Sequence, residues 1–452
     1  MFCINRDIEL TPSLLQKMIN RFQTGVYPHL KRYWDYYNGN QRIYEKAYSD
    51  PSKPCNKTVI NYCKNIADSY CGYIASPRCI GYSSDNDIDE IMDILRYNDY
   101  QEEDSNFLLN GLVYGTASEL MFIDGDGKTR FNLVNPLQCF GIFDDTLTCD
   151  LLYFVRWYKV NDWDESDTYK VDVYTDNLIR HYEMGGLNGS LSFKGEEPHY
   201  FGQCPANIFF LANEKSIFDC VMSEQDSVND LLSAEIDDYS AFCDAYLSIT
   251  GCDADSEDIQ MMKENRVLIL PEGAEAQWLT KNANDAQVEN ILKRLHDSIY
   301  RIAQCPDFSS ETFVGGVSSG IAIRYRLTGM ETRAGMVETS FKKALQRRIE
   351  IIAGIASLKL GEEVFRDINI TFTRNIPTDN TDVVNIVNAL KGTVSEATLL
   401  AQIPFVSDVN KELEGVFWQG RREGVSGLPA GSLRRHRHAG LWRRLHQAQW
   451  RV

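Results

Sequence analysis

Leu327, Met330, Ala334, Val337, Phe341, Leu345, Ile349, Ile352 and Ile355 recur at three- and four-residue steps through the later part of the 452-residue chain. This stripe predicts one helix over 323–360, close to 40 residues and about 57 Å long at 1.5 Å per residue. A rod of that length exceeds the roughly 30 Å diameter of a small domain. Gly329, Gly335 and Gly354 are its expected bend points, and a chain of 452 residues, able to bury more than one core, is expected to form two to four structural units.

The segments before this helix are also readable. A Gly/Ser loop, Val314 to Gly320, precedes it, and Val288, Ile291, Leu295, Ile299 and Ile302 predict a helix from about Asp285 to Gln304. Earlier, Val228, Leu231, Ile236, Tyr239, Phe242, Tyr246 and Ile249 predict a helix over 222–249. Between those two helices Val267–Leu270 reads as a short strand. The N-terminal part predicts helices over Pro12–Tyr37, Lys57–Ile74 and Asp89–Tyr114. Residues 115–215 form a β-rich unit, opened by strands Leu120–Ile123 and Phe131–Val134 around an Asp124-Gly125-Asp126-Gly127 turn. Further strands are expected at Leu151–Val160, Tyr169–Tyr174, Ile179–Glu183 and Ile368–Phe372, and a small helical unit at Asp382–Glu414. The fold class is α+β.

Charge narrows the function. The chain carries net −18, yet residues 417–452 hold eight Arg and one acid, so the first 416 residues carry −25. From Lys215 to Lys263 there is no cation, while twelve acids fall between them. Such a body does not wrap nucleic acid by neutralising phosphates; DNA, if a partner, is touched sparsely or repelled. The most apolar run, Ile349–Leu360, is too short to cross a membrane and contains Lys359. Arg6, Asp7 and Glu9 stand where a secretory signal needs an apolar core, so synthesis in a cytoplasm is expected.

No motif requires catalysis, a metal or a cofactor. Gly127-Lys128-Thr129 resembles the end of a phosphate loop, but Phe122 occupies the first glycine position. Asp124 and Asp126 fail as a calcium loop because Lys128 and Thr129 fill the third-ligand and glycine positions. The seven His form no readable triad. The twelve Cys are scattered and expected reduced. Cys55, Cys63, Cys71 and Cys79 recur every eight residues, but eight helical residues rise about 12 Å, too far for Cys63 and Cys71 to share one ion. These read as buried structural thiols.

Particular segments then resemble portal proteins of long-tailed bacteriophages of Gram-positive hosts, from about Tyr33 to Glu414. They are Asn56-Lys57 with Asn61-Tyr62-Cys63 and Gly72-Tyr73, Leu112-Val113-Tyr114-Gly115 before Glu119-Leu120, and Leu268-Ile269-Leu270-Pro271-Glu272-Gly273 before Trp278-Leu279-Thr280-Lys281. Pro306-Asp307, Gly315-Gly316, Ser318, Gly320, Phe341-Lys342-Lys343, Leu345, Arg347-Arg348 and Ile370 to Asn375 complete the set.

The resemblance implies a non-enzymatic ring, usually of twelve subunits, at one capsid vertex of the virion, assembled in the bacterial cytoplasm. Implied partners are further copies of the chain, the terminase, a head-tail adaptor, the major capsid and scaffolding proteins, and double-stranded DNA bound without sequence preference. It implies a wing over 1–221, a stem helix over 222–250, a clip over 251–280 and a second stem helix over 281–307. A tunnel loop over 308–322, a long bent helix and wing strand over 323–377, and a crown over 378–416 follow. The Arg/Trp/Gly-rich tail 417–452 departs from the family pattern, and is expected disordered or non-native. Val314, Gly315, Gly316, Val317, Ser318, Ser319 and Gly320 are the implied tunnel-loop residues. Leu268, Pro271, Glu272, Gly273 and Trp278 fall in the implied clip, and Glu224, Asp230, Glu235, Asp237 and Asp238 are the expected channel-lining acids. The competing expectation is a metal-dependent nuclease or other DNA-processing enzyme that uses those acids as ligands.

Overall fold

The computed structural model describes residues 2–51, 53–159, 167–187, 189–242, 246–250, 260, 273, 275–279, 285–309, 320–374, 387–400, 403 and 413. Two units divide between Ile376 and Pro377.

In the first unit, strand β1 (Phe2–Ile4) leads to α1 (Pro12–Arg21), capped by the Thr11 hydroxyl accepting from the Leu14 amide at 3.3 Å. A π-helical turn, Phe22–Val26, carries α1 into α2 (Tyr27–Tyr37). Pro28 has no N–H to continue the α-helical ladder, so the register loosens just before it. The expected helix over 12–37 is thus present with one irregular turn.

Helix α3 (Tyr62–Ala75) starts five residues later than its apolar spacing suggests, because the Asn61 side chain caps it by accepting from the Lys64 amide at 3.0 Å. Lys57–Ile60 is not helical. After β2 (Ile80–Ser83), the stretch expected as one helix over 89–114 is two, α4 (Asp89–Tyr97) and α5 (Tyr100–Tyr114). They break where buried Asn98 bonds out to the Thr129 carbonyl and the Phe131 amide.

The Asp-Gly hairpin forms as expected, joining β3 (Thr116–Ile123) to β4 (Thr129–Val134). Then come β5 (Cys139–Asp144), β6 (Leu151–Lys159), β7 (Thr168–Tyr174), β8 (Leu178–Gly185), β9 (Leu191–Pro198) and β10 (Ala206–Phe210). One sheet has the order β1-β5-β6-β7-β8-β9, and a second β10-β3-β4. The β1 strand, unforeseen in the sequence, adds parallel to β5, with Cys3 opposite Phe143.

Helix α6 (Met222–Phe242) is shorter than expected. Tyr246–Thr250 is strand β11, paired antiparallel with β12 (Glu275–Leu279), so Tyr246 and Ile249 do not extend the helical stripe. The strand expected at Val267–Leu270 lies outside the described residues. Helix α7 (Asp285–Ala303) ends one residue before the expected boundary, and α8 (Gly320–Leu360) runs for 41 residues through all three interior glycines. Strand β13 (Asn369–Phe372) returns to pair with β2.

The core gathers on α8. Its whole predicted stripe is buried, and Phe341 meets Phe209 at 5.3 Å and Phe107 at 5.7 Å between ring centroids. Gly111 allows this packing: a Cβ there would lie 2.1 Å from the Phe209 ring. Gly115 has φ +79°, and its Cβ would meet the Glu214 backbone at 2.6 Å, so only glycine fits between α5 and β3. The architecture is the expected α+β. In the second unit, residues 391 and 394 bridge ahead of α9 (Glu396–Leu400). The rest of the implied crown and the tail 417–452 lie outside the described residues.

Candidate functional site

Helix α6 carries four polar residues at four-residue steps, Gln225, Asn229, Ser233 and Asp237, which rise about 6 Å per step along one face. Segment 56–62 runs antiparallel to this face, and two extended residues advance by nearly the same distance. Every second amide of the segment therefore finds an acceptor on the helix. Asn56 donates to Asp237 at 2.6 Å, Thr58 to Ser233 at 3.0 Å, Ile60 to Asn229 at 3.1 Å and Tyr62 to Gln225 at 2.9 Å. Gln225 returns a bond to the Ile60 carbonyl at 2.6 Å, and Asn229 one to Gln41 at 2.5 Å.

The acids of this region divide accordingly. Tyr33 donates to Asp219 at 2.8 Å and Tyr36 to Asp226 at 2.7 Å; burial and then Asp226 push the Tyr36 hydroxyl up to about 12. Arg42 lies 3.6 Å from Asp226 and 2.7 Å from Asp230. Asp237 is buried and accepts from Lys46 at 2.7 Å and Tyr48 at 3.1 Å besides both nitrogens of Asn56. Burial raises its pKa, but the Lys46, Asn56 and Tyr48 hydrogen bonds outweigh burial and hold it down at about 2.

Of the five expected channel-lining acids, Asp237 is therefore turned into its own subunit and does not present charge to solvent. Asp230 is exposed but paired with Arg42. Glu224 and Glu235 are half-buried and Asp238 is exposed, and all three lie on the arc away from the ladder. At 100° per residue, Glu224, Asp230, Glu235 and Asp238 share about 140° of the helix surface. Ser223 donates to Glu224 at 2.7 Å. The ladder partners were missed in the sequence, although uncharged acceptors four residues apart inside an acidic run are a legible signal.

Helix α7 packs beside α6, and its His296 and Tyr300 rings each lie 5.8 Å from the ring of Tyr62 at the start of α3. Its C-terminal carbonyl, Ala303, accepts from Tyr70 at 2.9 Å and from Arg333 of α8 at 2.7 Å. These bonds fix the point from which the chain leaves toward 310–319. Val314, Gly315, Gly316, Val317, Ser318 and Ser319 lie outside the described residues, whereas Gly320 is the first residue of α8. Leu268, Pro271 and Glu272 also lie outside them. Gly273 is an exposed turn residue with φ +92°, and Trp278 pairs with Leu247 in the β11–β12 hairpin.

Against known families, residues 17–423 match the one described as phage portal protein, SPP1 Gp6-like. The chain belongs to the phage portal protein family. Portal proteins similar to it include that of Bacillus phage SPP1, 23% identical over 391 residues, covering 80% of this chain and 76% of the relative. That of Clostridium phage phiCD119 (strain Clostridium difficile/United States/Govind/2006) is 20% identical over 382 residues, 79% of this chain and 83% of the relative. Both host genera are Gram-positive. The family match begins before Tyr33 and runs past Glu414, so it is wider at both ends than the motifs indicate.

As a portal protein the chain is a subunit of a homo-oligomeric ring that works with capsid and terminase, and a component of the virion capsid. The family is a structural one, and the nuclease alternative gains no support. Among the described residues no helix is long and apolar enough to cross a membrane, and no three His, Cys, Asp or Glu side chains group as metal ligands.

Proposed function

We propose that the ring, of twelve subunits, is a passive conduit without catalytic activity, through which a separate ATP-driven terminase moves double-stranded DNA. Portal-family membership supports this reading, and the division of acids on α6 carries its mechanism. The ladder face and the N-terminal segment bind Asp219, Asp226 and Asp237, while Glu224, Glu235 and Asp238 lie on the other arc of the helix. Facing the lumen, these would repeat around the ring and hold phosphates off the wall by like-charge repulsion, so that DNA slides.

In this reading 1–221 is the wing, with 323–377 its long helix and returning strand. Helices α6 and α7 are the stem, 251–280 the clip that meets the head-tail adaptor, 308–322 the tunnel loop and 378–416 the crown. The major capsid and scaffolding proteins would contact the ring during assembly in the host cytoplasm. Electron microscopy of the purified full chain tests the proposal. Rings of twelve with a central hole wide enough for duplex DNA are expected; compact monomers that cut DNA with Mg²⁺ would overturn it.

A further inference from the structure

Cys3 and Cys149 are 146 positions apart in the chain, yet they interact: burial first, and then the nearby Cys3 thiol, raises the pKa of the Cys149 thiol. Cys3 is exposed on β1, and Cys149 is half-buried in the loop between β5 and β6, with φ +53°. The pairing of Cys3 with Phe143 sets the register of the two segments. Just beyond it, Arg6 lies 2.6 Å from Asp144 and also pairs with Asp150, which brackets Cys149. Asn5 adds a bond to Asp145 at 3.1 Å. The strand pairing and these polar contacts hold the segment that carries Cys3 beside the loop that carries Cys149 without a disulfide. Cys63, Cys79, Cys139, Cys204 and Cys305 are instead buried.

We propose that Cys3 and Cys149 form a thiol-oxidation site that closes to an intramolecular disulfide and clasps β1 to the six-stranded sheet. The oxidant class is a small disulfide such as oxidised glutathione. The thiolate of the more exposed Cys3 attacks one glutathione sulfur, forming a mixed disulfide and releasing one glutathione thiolate. The Cys149 thiolate then attacks the Cys3 sulfur and expels the second. Two protein thiols and one glutathione disulfide become one protein disulfide and two glutathione thiols, so electrons and protons balance. A virion component is made in a reducing cell and released into an oxidising exterior, where such a bond persists. Closing so long a loop also removes much freedom from the unfolded chain. The site does not rest on the channel reading above.

The test equilibrates the full chain in glutathione buffers of graded potential, blocks free thiols and digests it with trypsin without reduction. The expected product links Met1–Arg6 to Phe131–Arg156 and disappears on reduction. The second peptide also contains Cys139, so fragmentation within it must place the bond at Cys149, and Cys149→Ser must lose the link. Intact oxidised protein nicked at Arg6 should retain residues 1–6 on a non-reducing gel and release them when reduced, a comparison needing no variant. Glutathione remaining on Cys3 at the most oxidising potential, or a link mapped to Cys139, would overturn the proposal.

Discussion

Arg348 of α8 and Glu119 of β3 form a two-pronged ion pair, with N···O distances of 2.7–3.0 Å and each side chain only 1% exposed. They are 229 residues apart in the chain. Asp104 of α5 binds the same guanidinium, Tyr82 of β2 donates to Asp104 at 2.8 Å, and Asn207 of β10 donates to Glu119 at 2.6 Å. The Phe131 ring lies under the cation at 4.5 Å. One buried charge thus fixes the long helix against α5, β2 and the β10-β3-β4 sheet. Burial raises the Asp104 pKa although Arg348 opposes it, and Arg348 itself is held charged by its carboxylates despite burial.

Replacing Arg348 by Met should strand two buried carboxylates and cost about 3–5 kcal/mol of stability. The change is read from the urea midpoint, and Asp104→Leu with Glu119→Leu in the same background should recover much of it. A loss below about 1 kcal/mol, the range of exposed pairs, would mean that water reaches the trio.

The pH dependence follows from Asp237, whose pKa is lowered from 3.8 to about 2. A depressed carboxylate contributes its stability in full above its unfolded value and loses it as pH falls through the folded value. The sensitive window therefore runs from about pH 4 down to about pH 2. Asp237→Asn keeps an acceptor for the Asn56 amide but loses the Lys46 ion pair, and should cost about 1–3 kcal/mol at neutral pH. Its acid unfolding curve should also be flatter in that window; an unchanged slope would remove Asp237 from the acid response.

The sequence made the periodic parts of the fold legible. The α8 stripe, the Asp-Gly hairpin and α7 were placed from local spacing, since each repeats a pattern that burial imposes. Contacts distant in sequence were not legible. Glu119 and Arg348 each sit in a family-like motif, but nothing local says that they meet. Lys57–Ile60 has helical spacing and is drawn out by acceptors on α6 some 170 residues away. Asp237 reads like any other acid of its run until Lys46 and Asn56 are folded against it.

For the channel, the two outward acids near the end of α6 are the informative pair. Glu235→Lys with Asp238→Lys should leave the ladder untouched and the ring assembled, because Gln225, Asn229, Ser233 and Asp237 lie on the other arc. If this arc faces the lumen, the change would place two cations per subunit where phosphates pass. DNA packaging in a defined terminase assay should slow several-fold, more at low salt than at high, since exposed charges are screened with a Debye length near 10 Å at 0.1 M. Equal rates for variant and parent would turn this arc away from the lumen.

The connection from α7 to α8 supports the last test. The Tyr70 and Arg333 bonds close the end of α7 at Ala303, and α8 restarts at Gly320. Between them the sequence places Gly315, Gly316, Ser318 and Ser319, whose side chains are small and whose glycines allow backbone conformations barred to other residues. If this loop lines the narrowest part of the channel, Ser318→Trp adds one indole per subunit at a single height, twelve in a twelve-subunit ring. The bonds that close α7 at Ala303 come from Tyr70 and Arg333, so rings should form with the parent's melting temperature. Packaging should stall after initiation or leave DNA that leaks from filled heads, measured as nuclease-protected DNA over time. A Ser318→Trp portal that packages and retains DNA like the parent would place the loop away from the DNA path.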